Sequence, residues 1–442
     1  MLDKSYVVPW GKRGSLSTDA EAAVLAELVH ESTPLPAGAR RERFERSFAA
    51  SVGSRHAISV NSGAVALHMA IRMLDLAPGD EVIATPQTHR ATVQPLLDYD
   101  VRVRFCDIDP TTLTLDPAAL AALITPRTRA LLLVHYGGCP AEMDTVMALA
   151  RRHGFLVLED CVHALGARYR GRSPGSLADL ATFSLRNAKT STVLGEGGLI
   201  TCDRDDWAER LHRLRAHDMD ARTARPGPAA GLGPGPGELS GRDGLSGPGP
   251  GVLPGTSYAM PLQRGCVRRP GSDATMPEAV ATLGQAQLNG VEAAGARRRA
   301  LAGRLDEVLT RYPFLTPQSA PAHSTHAYHL YTCLAAHQEL RDRLVLALDR
   351  RGVEIQLRYF PQHLLPQWRH RGHLRGECPI AERSWFEQHL NLPCHAQLTP
   401  HQEDYLIEAL DGALAELNGG APAPAPAPAA VAGVPATACG RG

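Results

Sequence analysis

Residues 130–160 read ALLLVHYGGCPAEMDTVMALARRHGFLVLED. The apolar run at 130–135 (ALLLVH) suits a buried strand. Met143, Val146, Met147 and Ala150 then recur at helical spacing, which predicts a helix over 143–153 closed by Gly154. A second apolar run, 155–159 (FLVLE), follows at once and ends on Asp160. Strand, helix and strand with short joints form a βαβ unit. The same alternation from about residue 51 to 202 predicts an α/β fold with a mostly parallel sheet and helices on both faces. In such sheets, ligands bind at the carboxyl ends of the strands. Asp160 occupies such an end, where a carboxylate can pair with a cationic ring nitrogen, or can serve as a helix cap or turn residue. His163, three residues on, is within reach of the same ligand or is a hydrogen-bonded structural residue.

The composition directs attention to one lysine. Of 46 basic residues only Lys4, Lys12 and Lys189 are lysines. Arginine stays charged, whereas a desolvated lysine amine can lose its proton and attack a carbonyl to form a Schiff base. Lys189 falls between two apolar runs, 181–185 and 198–202 (GLITC), in a polar stretch that ends in the GEGG of residues 195–198. The pattern predicts a loop between buried strands, from which the amine can reach a ligand.

Two further stretches carry chemistry. Asn61, Ser62, Gly63 and Ala64 precede VALHMAIRML, whose apolar spacing suits a helix. Free N–H groups and the positive end of the dipole draw an anion to such a start, although Ser and Asn are also ordinary caps there. The hydroxyl of Ser184, five residues before the lysine, can reach the same anion. Thr88 and His89 follow the apolar run 81–84 (EVIA), and the imidazole there can stack on an aromatic ring or stand in solvent.

Acidic and basic residues balance at 46 each over 442 residues, which argues against nucleic-acid and anionic-membrane partners. No apolar stretch approaches a membrane span, and the first residues lack a secretory core, so a cytoplasmic location is expected. Nine cysteines with no CxxC pair suit reduced thiols, and no metal site is expected. Residues 225–255, rich in Pro and Gly, and the Ala/Pro tail 419–442 are expected to be disordered.

The order of NSGAVALHMA, GDEVIATPQTHRAT, ITPRTRALLLVHYGG, LVLEDCVHALGA, FSLRNAKT and GEGGLIT resembles the DegT/StrS-type sugar aminotransferases. The likeness resumes with AYHLY, RDRLVLALDRRGVEIQLRYFP and LNLPCH. The resemblance implies the fold of type I pyridoxal phosphate enzymes: a large domain (31–224) on a mostly parallel seven-stranded sheet, an N-terminal arm (1–30) and a smaller α+β C-terminal domain (256–418). It implies pyridoxal 5'-phosphate held by Ser62, Gly63, Ala64 and Ser184 at its phosphate. Lys189 would be bonded to its aldehyde and carry the proton, Asp160 would face its ring nitrogen, His89 its ring face and His163 its ring hydroxyl. It further implies amino transfer from glutamate or glutamine to a nucleotide-linked keto sugar or keto cyclitol, in secondary-metabolite or surface-sugar pathways, by a homodimer with shared sites. A pyridoxal phosphate enzyme of another reaction type and a non-catalytic partner protein are the alternatives. Where relatives read close to GYNYRM, this chain has Gly271, Ser272, Asp273, Ala274, Thr275 and Met276. A carboxylate at 273 would meet the phosphate dianion at a cost on the order of kilocalories if partly buried.

Overall fold

The computed structural model describes residues 5–11, 19–30, 38–185, 195–216 and 273–419. Lys189 and the stretches expected to be disordered, apart from Gly419, lie outside them. Packing divides the chain into Met1–Leu211 with Ala274–Gly442, and His212–Asp273. Within the second unit, the Asp273 N–H donates to the Ala216 carbonyl (3.2 Å).

Among its described residues the first unit carries twelve strands. They are β1 (His56–Val60), β2 (Glu81–Ala84), β3 (Arg102–Phe105), β4 (Thr128–Val134), β5 (Leu156–Asp160), β6 (Arg168–Tyr169), β7 (Leu180–Ser184), β8 (Gly198–Cys202), β9 (Leu315–Pro317), β10 (Ser324–Thr325), β11 (Tyr331–Ala335) and β12 (His389–Leu392). Seven of them form one sheet in the order β1-β8-β7-β5-β4-β2-β3. β7, β5, β4, β2 and β3 run parallel, and β8 is antiparallel to both β7 and β1. The α/β class and the mostly parallel sheet expected from the sequence are therefore present.

Burial on both faces explains the apolar runs. On one face Ile83, Leu131, Leu133 and Val157 pack under the helices Pro117–Leu123 and Met143–His153. The second of these helices ends at Gly154, at a φ of 75° that only glycine adopts freely. Farther along the same face, by ladder register, Phe183 and Leu199 pack with Phe44 and Phe48 of the helix Ala39–Val52, while Val82, Leu132, Leu158 and Ile200 on the opposite face are equally buried. β11 joins β12 and β9 in a second, antiparallel sheet. The 32-residue helix Glu278–Leu309 spans two clusters: Val280, Ala281 and Leu283 pack with Phe44 and Phe183, and Leu301, Leu305 and Leu309 with Tyr331 and Leu390 of the second sheet. Among the described residues no helix is long and apolar enough to cross a membrane.

Glu159, fully buried on β5, holds the sheet to the loop beyond it. Its Oε2 accepts from Gly175 N–H (2.7 Å), His135 Nε2–H (3.1 Å) and the Cys161 thiol (3.3 Å), and its Oε1 from Leu177 N–H (3.0 Å). His135 Nδ1 accepts from Ala141 N–H (3.1 Å), which leaves the hydrogen on Nε2. Burial, and then the neighbouring carboxylate, push the Cys161 thiol well above its ordinary value, so it remains a donor. These three side chains bring potential metal ligands within 4.8 Å of one another, but each is already bound into this network. Replacing Glu159 by Gln turns an amide N–H₂ toward buried donors. Glu159→Gln should therefore lower unfolding free energy by about 3 kcal/mol in urea melts; a loss below about 1 kcal/mol would remove the carboxylate from this role.

Burial alone holds His326 down to about 3, and burial is the main cause that holds His389 down to about 4. Unfolded histidine titrates near 6.5. Above that pH both states are neutral. Below it only the unfolded chain takes up the protons, so stability falls as pH drops from about 6.5 toward 4, by about 1.4 kcal/mol per pH unit for each imidazole. Urea midpoints measured from pH 7.5 to 5 should fall, and the fall should be shallower in His326→Gln and His389→Gln.

Candidate active site

The chain enters the site three times through positions where it can pack closely. β1 runs out into Asn61 and Ser62, and the helix Gly63–Arg72 begins at once. Ser62 is extended, and its hydroxyl accepts from Val65 N–H (3.2 Å), so the ordinary capping role is filled. A Cβ on Gly63 would stand 2.5 Å from the Cβ of Ser184, at the end of β7, and 2.7 Å from its hydroxyl. A Cβ on Gly198, paired with both Val60 and Ser184, would stand 2.5 Å from the Ser62 carbonyl oxygen. Only glycine fits at either point. The result brings Gly63, the first residue of a ten-residue helix whose first N–H groups lack helical partners, against Ser184. Ala274 accepts from Asn61 N–H (2.8 Å) and Thr275 bridges to Val60, so the segment that departs from the GYNYRM pattern runs beside β1 of its own chain. Gly271 and Ser272 lie outside the described residues.

Asp160 ends β5, between Val134 of β4 and Thr182 of β7. It is 5% exposed. Its Oδ1 accepts from Val162 N–H (3.1 Å) and its Oδ2 from the Thr92 hydroxyl (2.7 Å). The Thr92 oxygen lies 2.7 Å from the Thr88 hydroxyl. Thr92 has a single proton and gives it to Asp160, so Thr88 donates to Thr92. Sequence reading did not single out Thr92. Its signal was the THRAT spacing, which puts two threonines four apart, one helical turn.

His89 begins the short helix Arg90–Val93, where its Nδ1 accepts from Ala91 N–H (3.2 Å), and its ring is exposed. His163 is buried. Its ring stacks on His329 at 4.4 Å and lies nearly parallel to Tyr359 at 5.7 Å, with Nε2 3.2 Å from the Tyr359 hydroxyl. Tyr359 also meets the edge of His89, centroid to centroid 5.9 Å. Burial is the main cause that pushes its hydroxyl upward, so it remains protonated through neutral pH. Taken as isolated residues in the sequence, His329 and Tyr359 read as structural or solvent-facing and so were left out of the site. His326 and His363 are engaged elsewhere, His326 with Gln318 and the Tyr328 N–H, and His363 with Glu382 (2.8 Å).

Gly63, Ala64, His89, Asp160, His163 and Ser184 line one cavity of about 140 Å³, together with Thr88, Thr92 and Glu196. Ser62 does not line it. The segment that carries Lys189 is not described, but the residues that flank it, Leu185 and Gly197, are hydrogen-bonded to each other (2.8 Å) beside Ser184. A larger open groove of about 1330 Å³ runs along the edge strand β3 and contains none of the site residues expected from the sequence.

The model of the DegT/DnrJ/EryC1/StrS aminotransferase family matches residues 17–411. GDP-perosamine synthase of Caulobacter vibrioides is 34% identical over 374 residues, covering 84% of this chain and 89% of that protein. Among solved structures, DesV of S. venezuelae, in complex with a ketimine intermediate, is 30% identical with a TM-score of 0.73, covering 89% of this chain and 94% of that one. An aminotransferase of Psychrobacter cryohalolentis reaches 0.78 at 27% identity, covering 93% and 100%. The chain belongs to the DegT/DnrJ/EryC1/StrS aminotransferase family.

Proposed function

We propose that this chain uses pyridoxal 5'-phosphate to move an amino group from glutamate or glutamine to a keto sugar carried on a nucleotide, or to a keto cyclitol. In this reading it works as a cytoplasmic homodimer, in secondary-metabolite or surface-sugar biosynthesis. The observation that carries the reading is the single cavity bounded by the Gly63 helix start, Ser184, Asp160, His89 and His163. The similarity to a GDP-perosamine synthase supports the nucleotide-linked sugar.

The residues present fit the coenzyme. The cavity where Gly63 and Ala64 at the helix start meet Ser184 suits a phosphate, because the helix start attracts an anion and the hydroxyl can donate to it. Ser62 would contribute there through its backbone, since its hydroxyl caps the helix. Asp160, steadied by Thr92 and Val162, would hold a proton on the ring nitrogen. His163 would hydrogen-bond the ring hydroxyl and His89 would cover the ring face. When bound, pyridoxal phosphate supplies an electron sink that lets an amino group leave one carbon and join another. Lys189 would be its covalent anchor, and its Nζ would take and return the proton at the substrate carbon that bears the amine.

Borohydride reduction of the loaded protein followed by peptide mapping should find the coenzyme on the peptide that contains Lys189, and Lys189→Arg should abolish the adduct. Label on another residue, or none, sinks the assignment. Thr92→Val removes one hydrogen bond from a buried carboxylate, worth about 1.5–3 kcal/mol. Single-turnover amino transfer from glutamate should accordingly slow about tenfold to a hundredfold in Thr92→Val, and further in Asp160→Ala. A wild-type rate in Asp160→Ala would remove Asp160 from the site.

A further inference from the structure

Arg358 stands one residue before the tyrosine that meets His163, and most of its own groups are fixed. Its N–H donates to His389 Nε2 (3.1 Å), and its carbonyl accepts from the Tyr136 hydroxyl. His389 is able to accept because its other nitrogen faces the Ser384 carbonyl (3.2 Å). The Arg358 Nε–H donates to Gln356 Oε1 (2.7 Å). The guanidinium lies 5.5 Å from the ring of Trp10 and 5.8 Å from that of Tyr359. Trp10 is itself held by its N–H on Glu354 Oε2 (2.8 Å).

One edge of the group is left over. Nη1 makes a single long contact with the Tyr359 hydroxyl (3.5 Å), and among the described residues no carboxylate stands within ion-pair distance of this half-buried guanidinium. Other arginines with little exposure, such as Arg341 and Arg351, are paired with Asp342 and Glu416. The Tyr359 hydroxyl that Nη1 meets lies 3.2 Å from Nε2 of His163, so one residue separates the guanidinium from the cavity lining. A planar fork held in place there and lacking an anion is arranged to receive one, and little side-chain entropy is lost when it does.

We propose that Arg358 is the residue by which this site recognises an oxyanion of its substrate. Two sources share that chemistry: the carboxylate of the donor amino acid and the diphosphate of a nucleotide-linked acceptor. The proposal rests on the aminotransferase reading and names the substrate feature that this site selects.

Calorimetric titration of the coenzyme-loaded protein with inorganic diphosphate and, separately, with glutarate tests the proposal without turnover. Wild type should bind one or both, and R358Q should weaken that binding about tenfold to a hundredfold. R358K, which keeps the charge and loses the fork, should fall between, and it serves if R358Q does not fold. Loss of diphosphate binding with a raised KM for the acceptor assigns the group to the nucleotide. Loss of glutarate binding with slower conversion by glutamate assigns it to the donor. Absence of binding by wild type, or equal affinities in all three proteins, overturns the proposal. Failure of wild type to accept an amino group from glutamate or glutamine would instead count against the aminotransferase reading, and the titrations would still report on Arg358.

Discussion

Two consecutive carboxylates at the end of one buried strand organise this protein. Side chains alternate across a sheet, so Glu159 and Asp160 leave β5 toward opposite faces. A carboxylate deprived of water is tolerated only when it is hydrogen-bonded. Glu159 meets that condition with four donors drawn from β4's exit, the residue after β5 and the loop at 175–177. All of its capacity goes into holding the scaffold. Asp160 meets it with donors that include the Thr92 hydroxyl and the Val162 N–H, and it lines the cavity. The same chemical group thus fixes the strand on one face and lines the cavity on the other.

The helix-start end of the cavity depends on a different constraint, the absence of side chains. Ser184 and Gly198 face each other across β7 and β8, and Gly63 reaches them from β1. Any larger residue at 63 or 198 would push the helix start away from Ser184. The anion-binding capacity of that helix therefore depends on strand packing as much as on its own dipole.

Much of this was legible in the sequence, for reasons that differ between elements. The helix Met143–His153 and the strands β2 and β8 stand at their expected bounds, because glycine, proline or charged residues mark their ends. β5 was read one residue early and β7 one late, because apolarity locates burial whereas the ladder decides pairing. Asp160 pairs with Val134 and Thr182 and so belongs to the strand despite its charge. Gly63, Ala64, His89, Asp160, His163 and Ser184 do share one cavity, whereas the Ser62 hydroxyl is taken by its helix. Thr92, His329 and Tyr359 were not legible as site residues. Tyr359 meets His163 across 196 positions of sequence, and no local pattern encodes that contact.

The arginine excess now has a structural reading. Most of the paired guanidinium groups sit at the surface, as in Arg46–Glu42, Arg204–Asp206 or Arg311–Asp411, where an ion pair contributes ~1 kcal/mol or less. Charge at those positions is interchangeable. Fork geometry matters where an arginine is partly desolvated and several of its groups are committed at once. Arg341 is one such case, bridging Asp342 and the carbonyls of Trp385 and Phe386. Arg358 shares that fixation without an acid among the described residues, and it reaches His163 of the cavity lining through the Tyr359 hydroxyl. Its place in the chain follows from the second sheet, because the backbone at Gln356 pairs with Asn391 of β12 and so carries the next residues toward His163. The smaller sheet thus places an arginine and a tyrosine behind His89 and His163, two side chains that line a cavity the larger sheet builds.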